Sequence, residues 1–238
     1  MRPCPDQDTS AAGIVNVILL RHGRSTANQR GVYSGWSDPP LSATGRTQVH
    51  DAGRQLRADQ VPVDVVHTSL LARAQESTDL LLRVWQHSEA TIHRDWRLNE
   101  RHLGLIQGLT RDQVISRWGN TARQRWRSDP TAAPPAVLPD HPEHPRNQAQ
   151  YQHVPATLLP GAESVDDLTS RVLTYWHDSI RPDITAGRHV LVVAHRDTIR
   201  AIVSHLDKRR NVPFTDLAVP TAQPIRYRID PAHPCTAT

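Results

Sequence analysis

Cysteine, methionine, phenylalanine and lysine are all scarce in this chain: 238 residues hold two cysteines, one methionine, one phenylalanine and, in Lys208, one lysine. Cys4 and Cys235 stand near opposite ends, so they build no disulfide framework and match no metal-ligand spacing. Long apolar runs are missing too. The longest, Ile14 to Leu20, is interrupted by Asn16 and is far too short to cross a bilayer. The opening MRPCPDQDTSAAG has no apolar core of the kind a secretory signal needs, which leads us to expect a cytoplasmic protein without a membrane partner. Charge of one sign does not dominate: 28 basic residues face 24 acidic ones, a formal net charge of +4. With no basic stripe, no lysine-rich arm and no zinc-finger spacing, a nucleic-acid partner has little support. What remains is a folded domain, because 37% hydrophobic and 22% charged residues fit a packed core rather than a disordered chain. We expect one domain over 14–230, with tails at 1–13 and 231–238.

The near-absence of lysine means that the positive charge is arginine. Codon bias accounts for such a composition, and so does a need for the planar, permanently charged fork that suits phosphate and carboxylate.

Buried strands are expected at Ile14 to Leu20, Val63 to His67 and His189 to Ala194, each short, apolar and β-branched. Ser42 is placed to cap a helix carrying Val49, Ala52, Gly53 and Leu56 at helical spacing. Further helices are expected over Leu70 to Trp85, from Ser164 to about Ile180, and from about Thr198 to Leu206. Ile225 to Ile229 alternates as an edge strand does. Asp129 to Pro160 holds eight prolines, so regular structure is not expected there; a long loop of this kind reads as a functional lid or a disordered segment. The alternation of strands and helices predicts an α/β layer fold with a mostly parallel sheet.

His22 and His195 each follow directly on a predicted buried strand. Ligands in open α/β sheets gather at the carboxyl ends of strands. If those two strands are parallel neighbours, both imidazoles reach one crevice, joined by Arg21 and by Arg73 at the start of the next helix. Arginine pairs bidentately with phosphoryl oxygens, and a neutral imidazole can attack phosphorus.

The run LRHGRSTANQRGVYSGWSDPPLSATG, with RLNERH at 97–102, PDHP at 139–142, Gly161-x-Glu163-Ser164, Val193-Ala194-His195 and Pro220-Thr221, resembles the histidine phosphatase superfamily. More narrowly it resembles the 2,3-bisphosphoglycerate-dependent phosphoglycerate mutases. The likeness spans residues 14 to 230. It implies a three-layer α/β/α sandwich around a mostly parallel sheet and no metal. His22 would carry the phosphoryl group, Arg21, Arg73 and His195 would surround it, and Glu100 would be the general acid/base. Asn28, Ser34, Gly35, Arg101, Arg111, Arg127, Arg196 and Asp197 fall at positions matching the family's substrate contacts. The partner would be a small phosphorylated substrate, with 2,3-bisphosphoglycerate as a phosphoryl primer rather than a tightly bound cofactor. A homo-oligomer is a further expectation by analogy.

Departures from the family pattern fall at particular places. Arg24 replaces an acid beside the nucleophile. Arg196-Asp197 stands where the family has Gly-Asn, so an aspartate would repel an anion unless Arg196 or Arg24 neutralises it. Leu103 stands for a tyrosine, Arg111 for a lysine, and Ser128 for the second of two arginines. These changes touch substrate retention more than the phosphoryl-transfer core, which leaves open a mutase, a phosphatase with water as acceptor, a specialised transferase, and a non-catalytic anion-binding protein. If Arg196 compensates for the lost glycine and asparagine, its side chain faces the anion.

Overall fold

The computed structural model describes residues 13–207 and 213–232. Both cysteines, Lys208 and nearly all of the two expected tails lie outside the described residues. Five strands form one sheet: β1 (Val15–Arg21), β2 (Val65–Thr68), β3 (Thr91–Arg94), β4 (Val190–Ala194) and β5 (Pro224–Ile229). Their order is β3-β2-β4-β1-β5, parallel throughout except for β5, which pairs antiparallel with β1 at the edge. The helices are α1 (Thr26–Arg30), α2 (Ala43–Ala58), α3 (Ala72–Trp85), α4 (Arg111–Ser128), α5 (Val165–Tyr175), α6 (Arg181–Thr185) and α7 (Arg196–Leu206).

The central strands are apolar without a break because helices cover both faces. Val15, Val17 and Leu19 of β1 join Val190, Val192 and Ala194 of β4 in one core with α5 and α7. The intervening residues, Ile18 and Leu20 with Leu191 and Val193, face α2 and α3 in a second core. This is the three-layer α/β/α sandwich, with a mostly parallel sheet, that the motifs implied.

Ser42 caps α2 by accepting the Gly45 N–H, as expected. The helix after Ser164 also forms. It passes through a π-type turn over Trp176–Ile180 before α6, so the expected single helix is three joined pieces. α7 starts at Arg196, not near Thr198, and so begins directly behind His195. Three elements were not anticipated. β3 is a polar edge strand with its side chains largely exposed. α1 is only five residues long. α4 is broken at Gly119 (φ 84°) and fully buries only Val114 and Arg123, with Trp118 and Trp126 packed partly buried beside Val114.

The proline-rich stretch contains no α-helix or strand, only three 3₁₀ turns at 145–147, 149–151 and 156–158. Part of it is packed into the fold. Tyr151, Val154 and Leu159 pack with Trp36 in a small core of their own. The Tyr151 hydroxyl also accepts from Asn99 Nδ2 at 2.9 Å. Of this stretch only Pro134 reaches the wall of the main pocket.

Leu168 is fully buried between α5 and the sheet, whereas Leu138 is 67% exposed. Leu168→Ala is expected to cost about 2–5 kcal/mol in urea unfolding, and Leu138→Ala to stay within about 0.5 kcal/mol.

Candidate active site

Parallel pairing sets the site. Arg21 of β1 lies opposite Ala194 of β4, and the His22 N–H continues the ladder by donating to Ala194 O at 3.0 Å. The residues that follow, His22 and His195, therefore emerge side by side, with ring centroids 5.1 Å apart. His22 Nδ1 is 2.7 Å from Gly23 O. A carbonyl only accepts, so Nδ1 holds the proton and Nε2 keeps its lone pair. Gly23 is required for this turn, since a Cβ there would lie 2.4 Å from Gly45 O at the start of α2.

His195 is oriented by Ser69, whose Oγ lies 2.8 Å from its Nε2 and also accepts the Leu71 N–H. Among the described residues the Ser69 hydroxyl has no other acceptor, so it donates to Nε2, which leaves the proton of neutral His195 on Nδ1. Ser69 follows β2 at another strand end, the same positional signal that marks the two histidines, and the sequence reading passed over it.

Arg73 is buried beneath the site, donating to Gly35 O at 2.8 Å and Ser37 O at 2.9 Å. Arg21 donates to Val219 O at 3.0 Å. Among the described residues, Arg21 Nε, Arg73 Nε and His195 Nδ1 are buried donors without a hydrogen-bond partner. Buried donors are normally satisfied. Three such groups next to one imidazole form a constellation suited to an anion. Arg21 and His22 stand on the pocket wall, with Arg73 and His195 behind them.

Glu100 sits on the loop after the turn at 96–98. Its Oε1 accepts from the main-chain N–H groups of Arg101 (3.0 Å) and Asp197 (3.2 Å). The loop is clamped by Arg171 of α5, which donates to Arg97 O at 2.8 Å, Asn99 O at 3.2 Å and Glu100 O at 3.3 Å. Arg171 is itself fixed by Glu163 through two 2.7 Å bonds in a buried pair. Glu163 belongs to a motif noted in the sequence, but Arg171 was missed: a helical arginine looks solvated until the loop that it holds is seen.

The pocket in front of His22 has a volume of about 360 Å³. Asn28, Ser34, Gly35, Arg101, Arg111, Arg127, Arg196 and Asp197 all line it. So do Tyr33, Arg123 and Arg200, which the sequence reading did not single out. Two of the lining residues also have structural contacts of their own. Gly35 has a positive φ (48°), and a Cβ there would meet the Gln107 side chain. The Asp197 carboxylate is not offered to a ligand; it accepts from Arg196 Nε at 3.3 Å and Arg200 Nη1 at 3.1 Å and pairs with Arg101 Nε at 3.5 Å. Arg24 is exposed and does not reach the pocket wall, so it is not the residue that neutralises Asp197. Arg196 does face the pocket, half-exposed at its mouth. Ser128 turns back on its own helix and donates to Gln124 O. In the HPEH segment, His141 and His144 accept local main-chain N–H groups.

Charge follows from burial and from the arginines. His22 lies well below the usual imidazole range because it is buried, with Arg73 and Arg21 adding to the effect. His195 is lowered by burial, then by Arg73 and His22. Burial brings Arg21 down to about 10, helped by Arg196. The two carboxylates split. Burial, and next Asp197, raise Glu100. Burial would raise Asp197 as well, but Arg196, Arg101 and Arg200 together hold it below the usual range. Carboxylates driven apart in this way differ in how readily they hold a proton, Glu100 the more readily of the two.

The sheet order, the two-sided helical cover and the paired strand-end imidazoles define the phosphoglycerate mutase-like class of α/β proteins. The sequence profile of the histidine phosphatase superfamily (branch 1) matches residues 17–139 and 137–235, and the chain belongs to that superfamily of enzymes. A 2,3-bisphosphoglycerate-dependent phosphoglycerate mutase of Nitratidesulfovibrio vulgaris (strain Hildenborough) is 38% identical, over 92% of this chain and 88% of that protein. The protein of the same description from Thermobifida fusca is 37% identical, over 90% and 87%. Among solved structures, a mycobacterial glucosyl-3-phosphoglycerate phosphatase in complex with VO3 superposes with a TM-score of 0.68 at 26% identity, covering 90% of each chain. A phosphoglycerate mutase from Bacillus anthracis shares the fold, with a TM-score of 0.68 at 20% identity, covering 96% of this chain and 92% of that one. Among the described residues, no helix is long and apolar enough to cross a membrane.

Two outcomes follow from this site. Arg171→Met leaves Glu163 buried and unpaired, which is expected to cost about 3–5 kcal/mol of stability in denaturant unfolding. Stability is also expected to fall as pH drops below about 6.5, because the unfolded chain protonates its histidines there while His22 and His195 stay neutral in the fold. Thermal midpoints between pH 7.5 and 5 check this; a flat profile would mean that the buried imidazoles accept protons without cost.

Proposed function

We propose that this enzyme transfers phosphoryl groups through a phosphohistidine at His22, as a phosphoglycerate mutase-like catalyst acting on a small phosphorylated acid. The observation that carries the reading is the pairing of a lone pair on His22 Nε2 with the unpartnered donors Arg21 Nε, Arg73 Nε and His195 Nδ1. Nε2 forms the bond to phosphorus as the bond from phosphorus to the ester oxygen breaks. Arg21, Arg73 and His195 stabilise the charge on the equatorial oxygens. The departing oxygen takes the Glu100 proton, and Glu100, now a carboxylate, removes the proton of the incoming hydroxyl when the phosphoryl group leaves the histidine. Asn28, Ser34, Arg101, Arg111, Arg127 and Arg196 are the groups proposed to bind the rest of the substrate. With guanidinium groups at both the inner and the outer end of the pocket, the donor set suits a molecule with two anionic groups, and 2,3-bisphosphoglycerate is proposed as the primer.

The relatives at 37–38% identity favour a hydroxyl of phosphoglycerate as acceptor. A second reading, a phosphomonoester phosphatase with water as acceptor, draws support from the structural likeness to the mycobacterial phosphatase.

Incubation with 2,3-bisphosphoglycerate should leave one phosphoryl group on the intact protein by mass spectrometry, and His22→Ala should abolish it. Glu100→Gln should slow turnover of 3-phosphoglycerate by about 10²- to 10⁴-fold, yet slow phosphoenzyme formation far less from an aryl phosphate, whose leaving group needs no proton. A coupled assay for 2-phosphoglycerate against release of inorganic phosphate separates the two acceptors. An unmodified wild-type protein with every phosphomonoester offered would remove the catalytic reading altogether.

A further inference from the structure

Asp197 has a place in the site that neither the family pattern nor its net charge explains. It is the second residue of α7, and its side chain is almost wholly buried beside a pocket lined with arginine. A carboxylate cannot bind an anion, so any effect it has on a phosphorylated ligand passes through other groups. Those groups are defined by its contacts. Arg196 Nε and Arg200 Nη1 donate to its Oδ1, and Arg101 Nε lies 3.5 Å from Oδ2.

Each tether leads to a different part of the pocket. Arg200 also donates to Leu217 O (2.9 Å) and Thr215 O (2.8 Å) and lies over the Phe214 ring. Arg101 donates to Trp126 O at 3.1 Å near the end of α4. Among the described residues, Arg196 has no other side-chain acceptor. One carboxylate thus joins the Glu100 loop, α4, the start of α7 and the segment at 214–217. Meanwhile the Asp197 main-chain N–H holds Glu100 Oε1. Without the carboxylate, three guanidinium groups would crowd one wall unneutralised.

We infer that Asp197 is a positioning residue that binds Arg101, Arg196 and Arg200 into one anion-binding wall and sets the charge felt by Glu100. The inference rests on the phosphoryl-transfer reading for its catalytic consequence, but not for its effect on the wall. It also accounts for the paired departure from the family's Gly-Asn, because the arginine and the aspartate satisfy each other. The charged groups acting on or beside Glu100 are Arg21 from β1, Arg73 from α3, its neighbour Arg101, Arg171 from α5, and Arg196, Asp197 and Arg200 from α7. Among them Asp197 supplies the negative charge.

Asp197→Asn keeps the size and an acceptor oxygen but removes that charge, and Arg200→Gln removes a cation instead. With 3-phosphoglycerate as probe, Asp197→Asn should weaken binding by calorimetry about tenfold through the loosened wall, while inorganic phosphate, bound close to His22, keeps its affinity. In kcat profiles the basic limb marks loss of the Glu100 proton. It should move to lower pH in Asp197→Asn and to higher pH in Arg200→Gln, opposite displacements that a merely structural role would not produce. Unchanged limbs in a turning-over enzyme, or equal loss of affinity for both probes, would overturn the inference. Should Asp197→Asn fail to fold, Arg200→Gln alone decides by the direction of its limb. A wild-type protein that binds 3-phosphoglycerate but never turns it over would overturn the proposed function, and the calorimetric comparison would still test the wall.

Discussion

The parallel hydrogen-bond ladder between β1 and β4 is the contact on which the rest depends. Both strands are buried on two faces, so a slip by one residue would turn every side chain into the opposite core. With Arg21 held opposite Ala194, the chain leaves the sheet at His22 and His195 together, and their closeness is a consequence of register rather than of loop chemistry. The same exit starts α7 immediately behind His195, which delivers Arg196, Asp197 and Arg200 to the pocket rim from one rigid helix.

Around this point the protein concentrates cations in a desolvated place. Buried donors on Arg21, Arg73 and His195 lack partners among the described residues, and burial holds both imidazoles well below their usual range. Such an arrangement opposes stability locally, so it depends on surroundings that leave the groups no alternative. The surroundings are identifiable. Gly35 and Ser37 carbonyls hold Arg73, Ser69 holds His195, and the buried Glu163–Arg171 pair holds the loop that carries Glu100. The proline-rich stretch belongs to the same support, because Tyr151 packs on Trp36 and bonds Asn99, one residue before Glu100.

Legibility varied with the kind of signal. Elements with continuous apolar runs or a capped amphipathic face, such as β1, β4, α2 and α5, were readable because burial dictates their pattern. α4 and β3 were not, since they lie at the surface and bury little. Strand-end histidines stood out by position, while Arg171, Arg200 and Ser69 did not, because an isolated arginine or serine on a helix or loop has no periodic mark. The packing of the proline-rich stretch was unreadable for a similar reason: proline content excludes helix and strand without saying whether a segment is packed.

What the sequence by itself determined is the layered α/β architecture, the strand-end imidazoles and a set of motifs placing the chain in its superfamily. These depend on local patterns and on short, ordered stretches of residue types. Only the tertiary structure decided that Asp197 is neutralised by three arginines, that Arg24 stands apart, and that Arg73 and His195 lie behind the pocket wall rather than on it. Those outcomes come from distances between segments far apart in the chain, and electrostatic effects depend on such distances and on burial, which no spacing along the sequence encodes.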